Sequence, residues 1–154
     1  MMIKVNVFSE EKAWSKRLKN QSLFFKKVCK SFPKKYQFLN KKVSLNLLLS
    51  NNKNIKKLNK IFRNKNKSTD VLSFPASTKI KISKNTFLGD IIISYNYLDK
   101  PKSQELRLFK NKVVKIFIHG YLHLLGFDHI KNKDYSKMLR RENFLYNSVK
   151  LKID

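Results

Sequence analysis

The stretch HGYLHLLGFDH, residues 119–129, contains all three histidines of this 154-residue chain. His119 and His123 are four residues apart, so on a helix they lie on one face, one turn from each other. Gly126 can adopt the left-handed conformation that ends a helix and turns the chain back, which brings His129 to the same place. The spacing therefore predicts three imidazoles that converge on one metal ion, and neutral imidazoles favour zinc.

The number of protein ligands indicates which kind of zinc site this is. Structural zinc sites are normally closed by four protein ligands, commonly including thiolates. Cys29 is the only cysteine and is far from the histidines in sequence. Three protein ligands with water in the fourth position describe a catalytic site. We therefore expect one Zn²⁺ held by His119, His123 and His129, with a water molecule completing the coordination.

Apolar alternation on both sides of this stretch predicts the strands of a sheet. The clearest strand is VSLNLLL at 43–49, in which every second residue is valine or leucine. The other candidates are IKVNV (3–7), DVLSF (70–74), and KIKIS with FLGDIIIS (87–94), either as two strands or as one strand after an extended arm. These patterns predict a small mixed sheet of about four strands.

Helical patterns predict the other half of the fold. The expected segments run from Ser9, as N-cap, past Val28; after Asn51 and Asn52; from Pro101 to near Gly126; and from about 134 to 149. Strands and helices alternate early, and helices dominate late. We therefore predict one α+β domain that covers residues 1–154.

The charge of the chain indicates the class of its partner. Thirty-five Lys and Arg against ten Asp and Glu give a formal charge of +25, which favours a polyanion such as RNA or DNA over an anionic membrane surface. The alternative is an A/T-rich genome, which would explain 30 lysines against five arginines. That bias does not remove acidic residues, so we favour a nucleic-acid partner.

The cysteine count and the lengths of the apolar segments predict the cellular compartment. One cysteine excludes an internal disulfide and suits a reducing environment. The N-terminal MMIKVNVFSEEKAW has no long apolar region, and no apolar stretch is long enough to span a bilayer. We expect a cytoplasmic protein with no membrane partner.

The histidine frame also matches the zinc-protease pattern H-E-x-x-H-x-x-G-x-x-H, except at one position. Gly120 stands where those proteases place the glutamate that acts as general base. A mid-helix glycine costs about 1 kcal/mol relative to alanine. Its presence indicates that a side chain at this position would block a close approach by another backbone or by the substrate. A zinc peptidase remains an alternative, but one without its base.

Three blocks of the chain resemble the YbeY family of bacterial endoribonucleases. They are HGYLHLLGFDH itself, FRNKNKSTDVLSFP at 62–75 and LGDIIIS at 88–94, and they occur in the family's order. Met138 and Glu142 fall in the family's M-x3-E spacing. The resemblance runs from about residue 55 to 142. It departs from the family at two positions, where proline and tyrosine are common and this chain has Ser68 and Phe127.

The resemblance implies a zincin-like fold with the metal site on a helix and the turn after it, and zinc bound by the three histidines. It implies a zinc-dependent, single-strand-specific endoribonuclease that acts in rRNA processing (16S rRNA 3′ end maturation) and in ribosome biogenesis and quality control. RNA and the ribosome or its proteins are the implied partners. It also implies an important arginine, which aligns with Arg63. A guanidinium can contact two oxygens of a phosphodiester transition state, although a salt bridge or a solvated charge is the alternative role.

The nucleophile and the role of Asp128 each have two possible assignments. The attacking group is either a water molecule activated by zinc or the 2′-OH of the RNA, and the second route needs a weaker protein base. Asp128 either orients the ring of His129 as a hydrogen-bond acceptor behind the metal ligands or caps the turn. Besides the peptidase, a non-catalytic ribosome-binding module that uses zinc for stability is an alternative function.

Overall fold

The computed structural model describes residues 3–128 and 132–153. Within them the helices and strands are β1 (Lys4–Ser9), α1 (Ala13–Arg17), α2 (Gln21–Lys30), β2 (Lys42–Ser50), α3 (Asn52–Arg63), β3 (Val71–Pro75), β4 (Asn85–Ser94), α4 (Tyr95–Leu98), α5 (Leu106–Leu124) and α6 (Asn132–Val149). A 3₁₀ turn covers Lys34–Tyr36. None of the helices in these ranges combines the length and apolar character that crossing a membrane requires.

The four described strands form one mixed sheet in the order β1-β2-β4-β3. β1, β2 and β4 are parallel, and β3 pairs antiparallel with β4 at the edge. The alternation in β2 places Val43, Leu45, Leu47 and Leu49 in the core, as period two requires. KIKIS lies outside the strands, so β4 is one strand that follows an extended arm. The predicted α+β fold with about four strands is confirmed.

Helix α5 covers one face of the sheet and is its main packing partner. Large buried side chains line its inner face, namely Phe109, Val113, Phe117 and Tyr121. Trp14 of α1 joins them, 6.0 Å from Phe109 between ring centroids, and its indole N–H donates to the carbonyl oxygen of Ser50 at 2.9 Å. The helix that carries two histidines is therefore fixed by the centre of the core.

Helix α5 approaches the sheet closely at Gly120. A Cβ atom there would lie 3.0 Å from the hydroxyl oxygen of Ser73 and 3.0 Å from a methyl group of Ile91. The Ser73 hydroxyl donates to the carbonyl oxygen of Gly120 at 3.1 Å. The close approach expected from the glycine is real, and it is made by strands β3 and β4.

The single helix expected between Ser9 and Val28 is wrong. Leu18 is extended and ends α1, while the side chain of Asn20 accepts from the backbone N–H of Leu23 and starts α2. Ser9 ends β1 instead of capping a helix. Asn20 is therefore the N-cap of a second helix. Its side chain accepts from a backbone N–H in the first turn of α2, which has no partner inside that helix. Likewise α5 begins at Leu106, not at Pro101.

Candidate metal centre

Two of the predicted metal ligands lie together near the C-terminal end of α5. The Nε2 atoms of His119 and His123 are 3.1 Å apart, and both side chains are partly buried. Two imidazole nitrogens that bind the same zinc ion, each at about 2.0–2.1 Å, lie a little more than 3 Å from each other. The separation found here therefore fits two ligands of a shared ion.

Glu142 of α6 contacts the opposite nitrogen of one of these rings. Its carboxylate forms a hydrogen bond with Nδ1 of His119. An Nδ1–H that donates to a carboxylate leaves the lone pair on Nε2, which is the tautomer that binds a metal through Nε2. Glu142 is one helical turn beyond Met138, which is buried in the core against α5. The family's M-x3-E spacing identified both positions, but it predicted no role for Glu142.

The turn after α5 begins as the sequence predicted. Gly126 has φ +97°, and the backbone N–H of Phe127 donates to the carbonyl oxygen of Leu122 at 3.1 Å, which ends the helix. The third predicted ligand, His129, lies outside the described residues. Among residues 3–128 and 132–153, no three His, Cys, Asp or Glu side chains form a group that could hold a metal ion. The described part of the site is thus the histidine pair with Glu142 behind it.

A cavity of about 710 Å³ opens in front of the histidine pair. We call it the histidine cavity; besides His119 and His123 it is lined by Arg63, Lys65, Thr69, Asp70, Val71, Ser73, Pro75, Thr78, Gly126, Phe127 and Asp128. Two cations, Arg63 and Lys65, stand against two carboxylates, Asp70 and Asp128, in this lining. The cavity is therefore polar, with groups of both charges around the histidine pair.

Arg63 lies on the rim of the histidine cavity, 56 positions before His119 in the chain. It is the last residue of α3, which ends because Asn64 takes the left-handed conformation at φ 56°. The Arg63 guanidinium donates to the carbonyl oxygen of Ser73 at 3.1 Å and lies 5.9 Å from the ring centroid of Phe74. The fold thus brings the predicted arginine and histidines to one cavity.

Asp128, the remaining candidate from the sequence, lines the histidine cavity together with the hydroxyl residues Ser73 and Thr69. Asp128 is exposed, while the ring that it was expected to orient, His129, is outside the described residues. The Ser73 hydroxyl is used by Gly120, and the Thr69 hydroxyl donates to the carboxylate of Asp70 at 3.3 Å. These two hydroxyls therefore act within the fold.

We expect Glu142→Gln to weaken zinc binding about 10- to 100-fold, because the amide cannot accept a charge-assisted hydrogen bond from Nδ1 of His119. Competition with a chromogenic chelator measures the affinity. Glu105→Gln is the matched control, since the Glu105 side chain is 74% exposed at the start of α5. Equal zinc affinity in both variants would show that the Glu142 carboxylate does not orient the ring.

Comparisons of the sequence with known proteins agree on one family. Residues 6–150 match the family model described as "Endoribonuclease YbeY". The chain is 58% identical over 152 residues to the endoribonuclease YbeY of Pelagibacter ubique, covering 99% of each, and 32% identical over 139 residues to that of Persephonella marina, covering 88% and 90%. The solution structure of TM1509 from Thermotoga maritima is similar, with a TM-score of 0.56 and 25% identity over 94% of this chain and 88% of that one.

Proposed function

The chain belongs to the YbeY family of endoribonucleases, and from this we propose that it is a zinc-dependent enzyme specific for single-stranded RNA. As a family member it is a hydrolase that acts on RNA. The finer proposal is that one zinc ion is held by His119, His123 and His129, and that the substrate is precursor 16S rRNA at its 3′ end. We further propose that residues 1–154 act as one domain, in the cytoplasm and in contact with the ribosome.

One observation supports this proposal above the others. A histidine pair with metal-ligand spacing and an arginine from a distant part of the sequence face the same cavity. The chain that surrounds them carries a formal +25, which attracts a polyanion and disfavours a neutral peptide substrate.

Each residue of the cavity has a distinct part in the proposed reaction. Arg63 binds the scissile phosphate, because its planar guanidinium can contact two equatorial oxygens as negative charge develops on them. Its bond to the Ser73 carbonyl holds the group at the rim. Glu142 keeps a proton on Nδ1 of His119. When bound, zinc would supply Lewis acidity and lower the pKa of a water molecule.

The nucleophile is either water or the 2′-OH of the RNA. Position 120 holds no carboxylate, because Gly120 packs directly on Ser73 and Ile91. A 2′-OH attack needs a weaker protein base than a water attack does, so this packing favours the RNA's own hydroxyl. A single 2′-deoxy substitution at the scissile nucleotide distinguishes the two routes, since only the 2′-OH route stops.

The proposed function predicts an assay with two substrates. Zinc-loaded wild type is expected to cut a ribosomal RNA fragment with a single-stranded 3′ end, to stop when chelator is added, and to resume when zinc is restored. Casein is expected to stay intact. Casein cleavage without RNA cleavage would establish the peptidase instead, and zinc-loaded protein inert on both would leave the binding module. Gel analysis of both substrates decides between these outcomes.

A further inference from the structure

We propose that the RNA strand extends from the histidine cavity along a basic groove on α6, where cationic side chains bind its phosphates. We call the side chains of this groove the cationic track: Lys35, Lys137, Arg140 and Arg141, with Phe144 beside them. This inference rests on the proposed function, because it takes RNA as the ligand of the histidine cavity.

Three neighbouring cavities share their walls and lead from the histidine pair to the track. The histidine cavity shares Gly126, Phe127 and Asp128 with a middle cavity of about 310 Å³. The middle cavity shares Lys137 and Arg141 with an outer cavity of about 320 Å³. Because each cavity shares lining residues with the next, the three lie side by side on the surface, where a single polymer strand can contact all of them.

Arg141 is held in place where the middle and outer cavities meet. Its Nη1 donates to the hydroxyl oxygen of Tyr36 at 3.1 Å, and its guanidinium carbon lies 4.3 Å from the ring centroid of Phe127. Its Nε is inaccessible and makes no hydrogen bond within the described part of the chain. Because Nε is closed to solvent, a phosphate oxygen in the groove would contact the terminal nitrogens of this guanidinium, whose charge is held in position by Tyr36 and Phe127.

The use of arginine points to the same groove. Only five of the 35 basic residues are arginines, and three of them, Arg63, Arg140 and Arg141, line the connected cavities. Arginine differs from lysine in its planar fork, which binds phosphate through two parallel hydrogen bonds. In a chain that otherwise uses lysine, this concentration indicates phosphate recognition.

Aromatic and acidic groups in the groove fit a single-stranded nucleic acid. Phe144 is 49% exposed, and the ammonium group of Lys35 lies 5.5 Å from its ring centroid, so an unpaired base can stack beside bound phosphates. Asp128 and Asp134 line the middle cavity and would repel phosphates there. Ribose 2′-hydroxyls and base N–H groups can donate to these carboxylates. Of the middle and outer cavities, the outer one, which has no carboxylate in its lining, is therefore the better site for phosphates.

A pair of double variants tests the track. The track variant combines Lys137→Glu and Arg140→Glu, and both side chains are exposed. The control variant combines Lys102→Glu and Arg107→Glu, which makes the same charge change at exposed positions around the start of α5. Arg141 is left unchanged because it contacts Tyr36 and Phe127. Thermal melting of both variants verifies that they are folded.

Fluorescence anisotropy of a labelled 12-nucleotide single-stranded RNA, in chelator so that nothing is cut, measures the binding. We expect the track variant to bind about 10-fold more weakly than the control variant. Its plot of log affinity against log salt should be less steep by about 1.4, the value for two lost phosphate contacts on a single strand. With zinc, KM for the 12-mer should rise about as much while kcat stays unchanged. Cleavage of a trinucleotide, too short to reach the track, should be equal in both variants.

Equal weakening by the two variants would overturn the inference, since it would show that only the overall charge matters. If RNA cleavage by wild type is normal in that case, the proposed function stands alone. If the track variant loses binding selectively but wild type cuts no RNA, the track stands and the proposed function fails. Wild type that binds no single-stranded RNA would overturn both.

Discussion

A His123→Ala variant is expected to purify with almost no zinc and to cut RNA at least about 1,000-fold more slowly than wild type. In the proposed site it removes one of three protein ligands, and two imidazoles cannot hold the ion against dilution. Loss of the metal removes several kcal/mol of charge stabilisation in the transition state, and about 4 kcal/mol corresponds to this factor. Elemental analysis of the purified protein and single-turnover cleavage rates measure the two effects.

The control for this variant is Lys115→Ala, an exposed position on the same helix. Alanine is the best helix former, so both substitutions are expected to leave α5 and the circular dichroism spectrum unchanged. Lys115→Ala should retain one zinc per chain and its cleavage rate. Full zinc content in a folded His123→Ala protein would show that the ion is held elsewhere, and the proposed ligand set would be wrong.

Arg63→Ala is expected to have the opposite metal result and a similarly large kinetic one. The variant should retain its zinc, because the contacts of Arg63 within the described residues are to Ser73 and Phe74. Its kcat should fall about 100- to 1,000-fold, the usual effect of removing one donor that stabilises a developing oxyanion. Arg63→Lys should recover little of this rate, because it restores the charge without the two-pronged geometry.

Arg107→Ala provides the matched arginine control, since the Arg107 side chain is 65% exposed at the start of α5. It removes the same charge and is expected to leave kcat and zinc content at wild-type values. An Arg63→Ala enzyme with normal kcat would assign Arg63 a purely structural role at the edge of β3. Zinc loss in that variant would instead show that the cavity and the metal site are coupled.

The strands of the fold could be predicted from local patterns, but their order could not. Period-two alternation in β2 marks a strand with one buried face, and this depends only on neighbouring residues. The pairing of β2 with β4, which sends β3 to the edge, depends on contacts between residues more than 40 positions apart. Ser9 and Asn20 are both possible N-caps in the region of the first helices. The sequence pattern favoured Ser9, whereas the residue that caps a helix in the structure is Asn20.

The site was predictable to the extent that its residues share one element. His119 and His123 are on the same helix, so their spacing predicts that they lie together. Glu142 reaches His119 only because α6 packs against α5, a tertiary contact with no local signature. Its four-residue spacing from buried Met138 was the available signal. Arg63 came from the family resemblance, since only the packing of α3, β3 and α5 brings it to the cavity.

Strand β3 has an outer edge that could serve as a template for a strand from another copy of the chain. Ser94 donates to Asp70, and Ala76 donates to Leu88, so the alternating antiparallel pattern turns the backbone groups of Ser73 outward. Pro75 offers no N–H on this edge, and the guanidinium of Arg63 already occupies the Ser73 carbonyl oxygen. Arg63, which we assign to the scissile phosphate, therefore also blocks this strand edge and opposes edge-to-edge aggregation.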